Sequence, residues 1–217
     1  MQYSFIWDMD GTLVDSYPAI VPAVQKVCAE YGLNVSPEYV YSQVIGTSVG
    51  DFLTKSGKEI GIDPAILIGK FNILNDSCID AIRAVRHAGE ALSGLRQAGH
   101  QHFVYTHRGA SCVPILKHTG LYPYFTEIVT ASEGFPRKPA PDAIIYLMKK
   151  YGISPSSCFY VGDRRVDVKA ACNAGIGSIL YLDPSSPGKP CGMETHIVTD
   201  LLDIRQIVLG SDPMYKV

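Results

Sequence analysis

Two carboxylates stand two residues apart at the end of a short apolar run, Ser4-Phe5-Ile6-Trp7 leading into Asp8-Met9-Asp10-Gly11-Thr12. Burying an acid beside an apolar strand is costly unless something pairs it. Two acids in three residues therefore point to a bound cation, a proton-transfer role, or both. Three more polar segments fall where strands are expected to end: Thr106, Lys138 between Arg137 and Pro139, and Gly162-Asp163 with Asp167 a helical turn further on.

If a parallel sheet brings Asp8 and Asp163 to one edge, with Asp167 beside them, each like-charge pair at ~4 Å costs about 4 kcal/mol at an effective dielectric of ~20. A cation among them removes that cost. The donors are hard oxygens, with no His or Cys in the same segments, which favours Mg²⁺ over Zn²⁺. Mg²⁺ in turn favours a phosphate oxygen as a ligand. Thr106 offers a hydroxyl and neighbouring amides to phosphoryl oxygens, and Lys138 offers a point charge. Three ionised aspartates against Mg²⁺ and Lys138 leave no net repulsion toward a phosphate dianion, provided that Asp10 is protonated or turned away. The chemistry this permits is attack of Asp8 on phosphorus, with Asp10 protonating the leaving oxygen and later deprotonating water.

The elements that must position these groups alternate from about residue 84. Helices are expected over 90–98, 113–118, 142–150 and 166–174, and strands over 4–7, 102–105, 127–130, 158–161 and 178–182. A last short strand at 197–198 and a helix over 201–208 complete the series. Such alternation implies an α/β fold, a Rossmann-like parallel sheet with helices on both faces and functional strand ends along one edge. Residues 15–83 break the rhythm. They read as helices over 17–30, 37–44, 49–55, 66–73 and 77–85 without a strand, punctuated by Gly46, Gly57, Gly61 and Pro64. The expected organisation is a catalytic core of residues 1–14 and 84–217 and a helical cap of residues 15–83, with hinges near Ser16 and Ala84. A turn-rich loop is expected over 184–190.

Composition excludes several classes. An apolar share of 47% and a mean hydropathy of +0.10 suffice for a core. A net charge of −2 without a basic run gives no pull toward nucleic acid or anionic membrane. No apolar run reaches the ~18 residues of a spanning helix, and with the first strand starting so early no signal peptide is expected. Six cysteines without CxxC or regular spacing are expected as buried free thiols in a reducing cytosol, so the expected location is cytoplasmic.

Across nearly its whole length the chain resembles the haloacid dehalogenase-like hydrolases, in particular the helical-cap subgroup typified by phosphoglycolate phosphatase. Asp8-Met9-Asp10-Gly11-Thr12-Leu13 matches the first motif of that family, Thr106 the second, Lys138 in Arg137-Lys138-Pro139-Ala140-Pro141-Asp142 the third, and Gly162-Asp163 with Asp167 the fourth. The resemblance implies Asp8 as nucleophile and Asp10 as general acid and base. It implies Mg²⁺ held by the Asp8 carboxylate, the Asp10 carbonyl and Asp163, with Asp167 supporting through water. Phosphate contacts fall to Asp8, Met9, Asp10, Thr106, His107 and Lys138. The expected partner is a small phosphorylated metabolite, and the expected assembly a monomer or homodimer.

His107 and Arg108 stand where relatives often carry Asn and Lys, a departure that bears on substrate contacts. The dehalogenase and phosphonatase branches lack the second Asp and are disfavoured by Asp10. A sugar phosphomutase of the same fold and a non-catalytic binder of phosphorylated ligands are the alternative readings; the acid Asp10 speaks against the binder. Arg164 and Arg165 are expected in solvent, and Tyr31, Tyr39, Tyr41 and Phe52 are expected to pack rather than to recognise substrate.

Overall fold

A computed structural model describes residues 2–184 and 188–210. Strand β1 (Ser4–Trp7) is buried at every residue. It lies at the middle of a six-stranded parallel sheet with β4 (Gln101–Tyr105), β5 (Glu127–Val129), β6 (Cys158–Gly162), β7 (Gly177–Tyr181) and β8 (His196–Val198), in the order β5-β4-β1-β6-β7-β8. Alternation along the strands divides the core between two faces. Ile6, Phe103, Tyr105 and Tyr160 join α7 (Asp142–Tyr151) and α8 (Arg165–Ala174) in one apolar cluster. Their neighbours Phe5, Trp7 and His102 point the other way, where the His102 ring meets the Leu92 carbonyl of α5 (Ala88–Gln97) at 3.2 Å. Helices α6 (Cys112–His118) and α9 (Ile204–Val208) complete this part. The α/β fold with a flanked parallel sheet is as expected.

The chain forms two compact units: Met1–Asp15 with Ala84–Val217, and Ser16–Arg83. Two-residue strands β2 (Val14–Asp15) and β3 (Arg83–Ala84) pair with each other where the chain leaves and returns. The second unit is helical, with α1 (Tyr17–Glu30), α2 (Pro37–Gly46), α3 (Val49–Ile60) and α4 (Pro64–Asp76) around their own core of Val24, Val27, Val40, Leu53, Leu67 and their neighbours.

Some sequence expectations are corrected. Residues 77–85 are not a helix: a single 3-10 turn, Ile79–Ala81, leads into β3. Gly57 does not punctuate but lies inside α3, where a Cβ would come 2.8 Å from the Ile62 carbonyl oxygen; the glycine permits that close approach. Phe52 is buried, and Tyr31 and Tyr41 pack against the same core, as expected; Tyr39 is exposed, with its ring edge on Phe52. All six cysteines are free thiols, but only Cys28, Cys112 and Cys158 are buried. The expected loop over 184–190 falls partly outside the described residues. No helix of the described residues is long and apolar enough to cross a membrane.

Candidate active site

Parallel pairing in register brings three strand ends together. Trp7 lies opposite Val104 on one side and Val161 on the other, and Asp8 N–H continues the ladder to the Val161 carbonyl at 2.8 Å. One step further along, Asp8 falls level with Tyr105 and Gly162, the last residues of β4 and β6, and Thr106 and Asp163 follow immediately after them. After Asp8 the chain turns sharply. The Met9 carbonyl accepts the N–H groups of Leu13 and Val14 at 2.9 and 3.0 Å, and Gly11 takes φ +80°, a conformation that favours glycine. Met9 is fully buried, so any contact it makes with substrate comes from its backbone.

Asp8, Asp163 and Asp167 each present a carboxylate oxygen, all within 4.8 Å of one another, and all three residues are buried. Asp167 reaches the cluster because Gly162 has no side chain: a Cβ there would lie 2.5 Å from the Asp167 Cβ and Cγ. Lys138, its side chain fully buried, places Nζ 2.8 Å from Asp8 Oδ1 and 2.6 Å from Asp167 Oδ1. The same Nζ donates to the Tyr160 hydroxyl at 2.9 Å, and that hydroxyl donates to the Tyr105 carbonyl at 2.6 Å. Asp167 Oδ2 accepts the Arg164 N–H at 3.1 Å, so both of its oxygens are engaged. Thr12 Oγ1 donates to Asp163 Oδ1 at 3.4 Å. Among the described residues Asp8 Oδ2 is buried without a hydrogen-bond partner, with Arg164 Nη2 at 3.6 Å.

Thr106 is buried, and its Oγ1 accepts the Arg108 N–H at 3.1 Å rather than capping α6. Asp10 faces the Arg108 guanidinium, with Nη2 2.6 Å from Oδ1 and Nε 3.1 Å from both oxygens. The His107 ring is engaged with the backbone: its Nε2 accepts the Lys138 N–H at 2.7 Å.

Residues 5–181 match the haloacid dehalogenase-like hydrolase family. The chain belongs to that family. It is 27% identical over 218 residues to a phosphoglycolate phosphatase of Vibrio vulnificus, covering 94% of this chain and 95% of the relative. A phosphoglycolate phosphatase of Vibrio parahaemolyticus is 30% identical over 198 residues, 85% of each chain. Among solved structures, a predicted phosphoglycolate phosphatase from Haemophilus somnus superposes with a TM-score of 0.82 at 23% identity, covering 95% of this chain and 98% of that one.

Electrostatics in this haloacid dehalogenase-like hydrolase follow from burial set against pairing. Burial works to raise the Asp8 carboxyl, but the charges of Lys138 and Arg164 and the Lys138 hydrogen bond outweigh it and hold Asp8 below its ordinary value. Asp167 goes the other way: burial raises it, Lys138 only partly offsets this, and the Asp8 charge adds to the rise. Lys138 is held above its ordinary value because Asp167 and Asp8 outweigh its desolvation. His107 is pushed down to about 2 by burial and by the charges of Lys138, Arg137 and Arg164, so it is neutral and carries its proton on Nδ1.

The donor set fits Mg²⁺: hard oxygens gathered in a small buried volume, one of them, Asp8 Oδ2, with no hydrogen bond to lose. Two participants were not read from the sequence as such. Tyr160 anchors Lys138, and its only sequence signal is a hydroxyl inside an otherwise apolar strand. Arg164, expected in solvent, has a side chain only 11% exposed and stands inside the acid cluster; Arg165 is exposed as expected. Arg164 follows directly on the buried Gly162-Asp163 and so stays beside the acids, whereas Arg165 starts the outer face of α8.

Proposed function

We propose that this hydrolase is a Mg²⁺-dependent phosphatase that releases inorganic phosphate from a small phosphorylated metabolite, phosphoglycolate-like in kind, through an aspartyl-phosphate on Asp8. The observation that carries the reading is the pairing of Asp8 Oδ1 with a fully buried lysine while Oδ2, in the same acid cluster, has no hydrogen-bond partner among the described residues. Asp8, Asp163 and the Asp10 carbonyl would hold Mg²⁺, and Asp167, with both oxygens committed to Lys138 and Arg164, supports from behind. When bound, Mg²⁺ supplies positive charge against the phosphoryl oxygens.

The residues of the chain carry the steps. Lys138 fixes Asp8 and keeps it ionised, so that a carboxylate oxygen attacks phosphorus as the ester P–O bond breaks. Asp10 gives its proton to the departing oxygen. Water then attacks phosphorus and passes a proton to Asp10; the bond between phosphorus and Asp8 breaks, and phosphate leaves. Thr106 and the backbone of Met9 and His107 orient the phosphoryl oxygens. We assign the helical unit the role of a cap that selects the leaving group.

Phosphate release from a panel of phosphorylated metabolites and an aryl phosphate tests the reading. Release should require Mg²⁺ and fall by at least about 10³-fold in Asp8→Asn. Full turnover by that variant, or in excess EDTA, would exclude the mechanism.

A further inference from the structure

We propose that the two side chains flanking Thr106, those of Tyr105 and His107, are positioning residues: together they clamp the backbone that carries Lys138, and so act on Asp8 through its ammonium. The proposal rests on the phosphatase reading and adds two side chains to its machinery, one of them at a position where relatives often carry Asn.

Lys138 lies between the 3-10 turn Ala131–Glu133 and α7, outside any strand ladder or helix, so each peptide group there must find its own partner. The Tyr105 hydroxyl donates to the Pro136 carbonyl at 3.0 Å. The Arg137 carbonyl accepts the Ala140 N–H at 3.0 Å. The Lys138 N–H donates to His107 Nε2 at 2.7 Å, the shortest of the set. The Pro139 carbonyl accepts the Asn173 side-chain amide at 2.8 Å. Two of these grips thus come from the end of β4, on either side of Thr106, and the Tyr105 and His107 rings meet edge to face with centroids 6.1 Å apart.

The same strand end holds the other end of the lysine. Nζ donates to the Tyr160 hydroxyl at 2.9 Å, and that hydroxyl donates to the Tyr105 carbonyl at 2.6 Å. Tyr105 therefore serves Lys138 twice, at the backbone through its hydroxyl and at the ammonium through its carbonyl. A lysine stem is flexible, but one held at both ends leaves Nζ a single place, 2.8 Å from Asp8 Oδ1 and 2.6 Å from Asp167 Oδ1. The acceptor at His107 must also be neutral. A carboxylate there would accept the N–H but compete with Asp8 for the ammonium, and an imidazolium could not accept at all. Burial and the charges of Lys138, Arg137 and Arg164 keep the ring uncharged.

Three variants test the clamp. H107L removes the acceptor, H107Q restores one whose amide oxygen reaches about as far as Nε2, and Y105F removes a single hydroxyl. For phosphate release, kcat should fall about 10–100-fold in H107L and about 3–10-fold in Y105F, with KM within about threefold of the parent, because a misplaced nucleophile loses orientation more than binding. H107Q should stay within about fivefold of the parent. The ammonium itself gives a readout without turnover. Its three N–H bonds are all engaged, by Asp8, Asp167 and Tyr160, so its ¹⁵N–¹H resonance should be sheltered from exchange in the unsubstituted protein and shifted or lost in H107L and Y105F.

A parental kcat in folded H107L or in Y105F, a loss carried by KM alone, or H107Q as slow as H107L overturns the proposal. So does an ammonium resonance missing from the unsubstituted protein or unchanged by the substitutions. Should H107L fail to fold, kcat and the resonance in Y105F decide. Failure of the unsubstituted protein to hydrolyse any ester, the aryl phosphate included, counts against the phosphatase reading; the resonance then decides on the clamp alone, a change in Y105F supporting it and no change overturning it.

Discussion

At the scale of single residues, the site is a contest between desolvation and pairing, and Lys138 decides it. One fully buried ammonium serves Asp8, Asp167 and Tyr160 at 2.8, 2.6 and 2.9 Å. Lys138→Met would leave two acids buried without their cation, and breaking a buried pair in this way costs about 3–5 kcal/mol. Tyr160→Phe removes two hydrogen bonds, one of them from the ammonium, but leaves no charge unpaired and should cost less, about 1.5–3 kcal/mol. Urea unfolding of the two variants checks the order, and equal losses would show that the lysine is not the centre of the network. Histidines set the response to acid. His102 accepts Trp7 Nε1–H at Nδ1, and burial pushes it down to about 4; His107 is pushed down to about 2. A histidine whose folded value is depressed contributes stability that is complete above its unfolded value near 6.5 and is lost as pH falls toward the folded value. Stability should therefore fall from pH 6.5 to pH 4. His102→Gln should reduce that slope by about 1.4 kcal/mol per pH unit, because one proton-uptake site is gone. An unchanged slope would place the acid sensitivity elsewhere.

At the scale of elements, backbone close approach decides what the side chains reach. Gly162 is the last residue of β6, and the Asp167 side chain of α8 packs where its Cβ would be. Gly162→Ala should push Asp167 off Lys138 and cost about 1–3 kcal/mol as an overpacked site. Its measured signature would be a weaker Mg²⁺ response together with the lower stability; a loss of stability alone would mean that strand and helix moved as one. Legibility in the sequence divides along the same line. Ser4–Trp7 and Tyr17–Glu30 are plain in the chain because three consecutive large apolar residues and a long helical period each speak through one segment. The acids Asp8 and Asp163 are legible as types at strand ends, where parallel register joins them; Asp167 comes from the first turn of α8 and Lys138 from the segment between β5 and α7. What the chain does not announce depends on a distant segment. Residues 77–85 have helix-compatible composition, yet β3 forms there because it pairs with β2, about seventy residues earlier. Arg164 and Tyr160 look ordinary alone and acquire meaning only beside Asp8 and Lys138.

At the scale of the whole molecule, two units with separate cores share one chain, and the charged cluster belongs entirely to the unit of Met1–Asp15 with Ala84–Val217. Metal linkage should therefore be unequal. Three carboxylates with oxygens at up to 4.8 Å repel one another by about 3 kcal/mol per pair at an effective dielectric of ~20, before Lys138 is counted. A divalent ion that binds only the folded cluster adds RT ln(1 + [L]/Kd), about 2.7 kcal/mol at a hundredfold excess over Kd. For a chain of this size that is about 5–10 °C in Tm. Calorimetric melts in EDTA and in Mg²⁺ should show the rise. If the two units melt separately, it should appear only in the transition that also destroys the packing of Trp7, followed by its fluorescence. Asp163→Asn separates charge relief from structural damage. Without Mg²⁺ the variant should be as stable as the parent or more so, since one repelling charge is gone, and with Mg²⁺ it should gain little. A variant that is less stable in EDTA yet keeps the full Mg²⁺ increment would mean that Asp163 serves the fold and that the ion is held elsewhere.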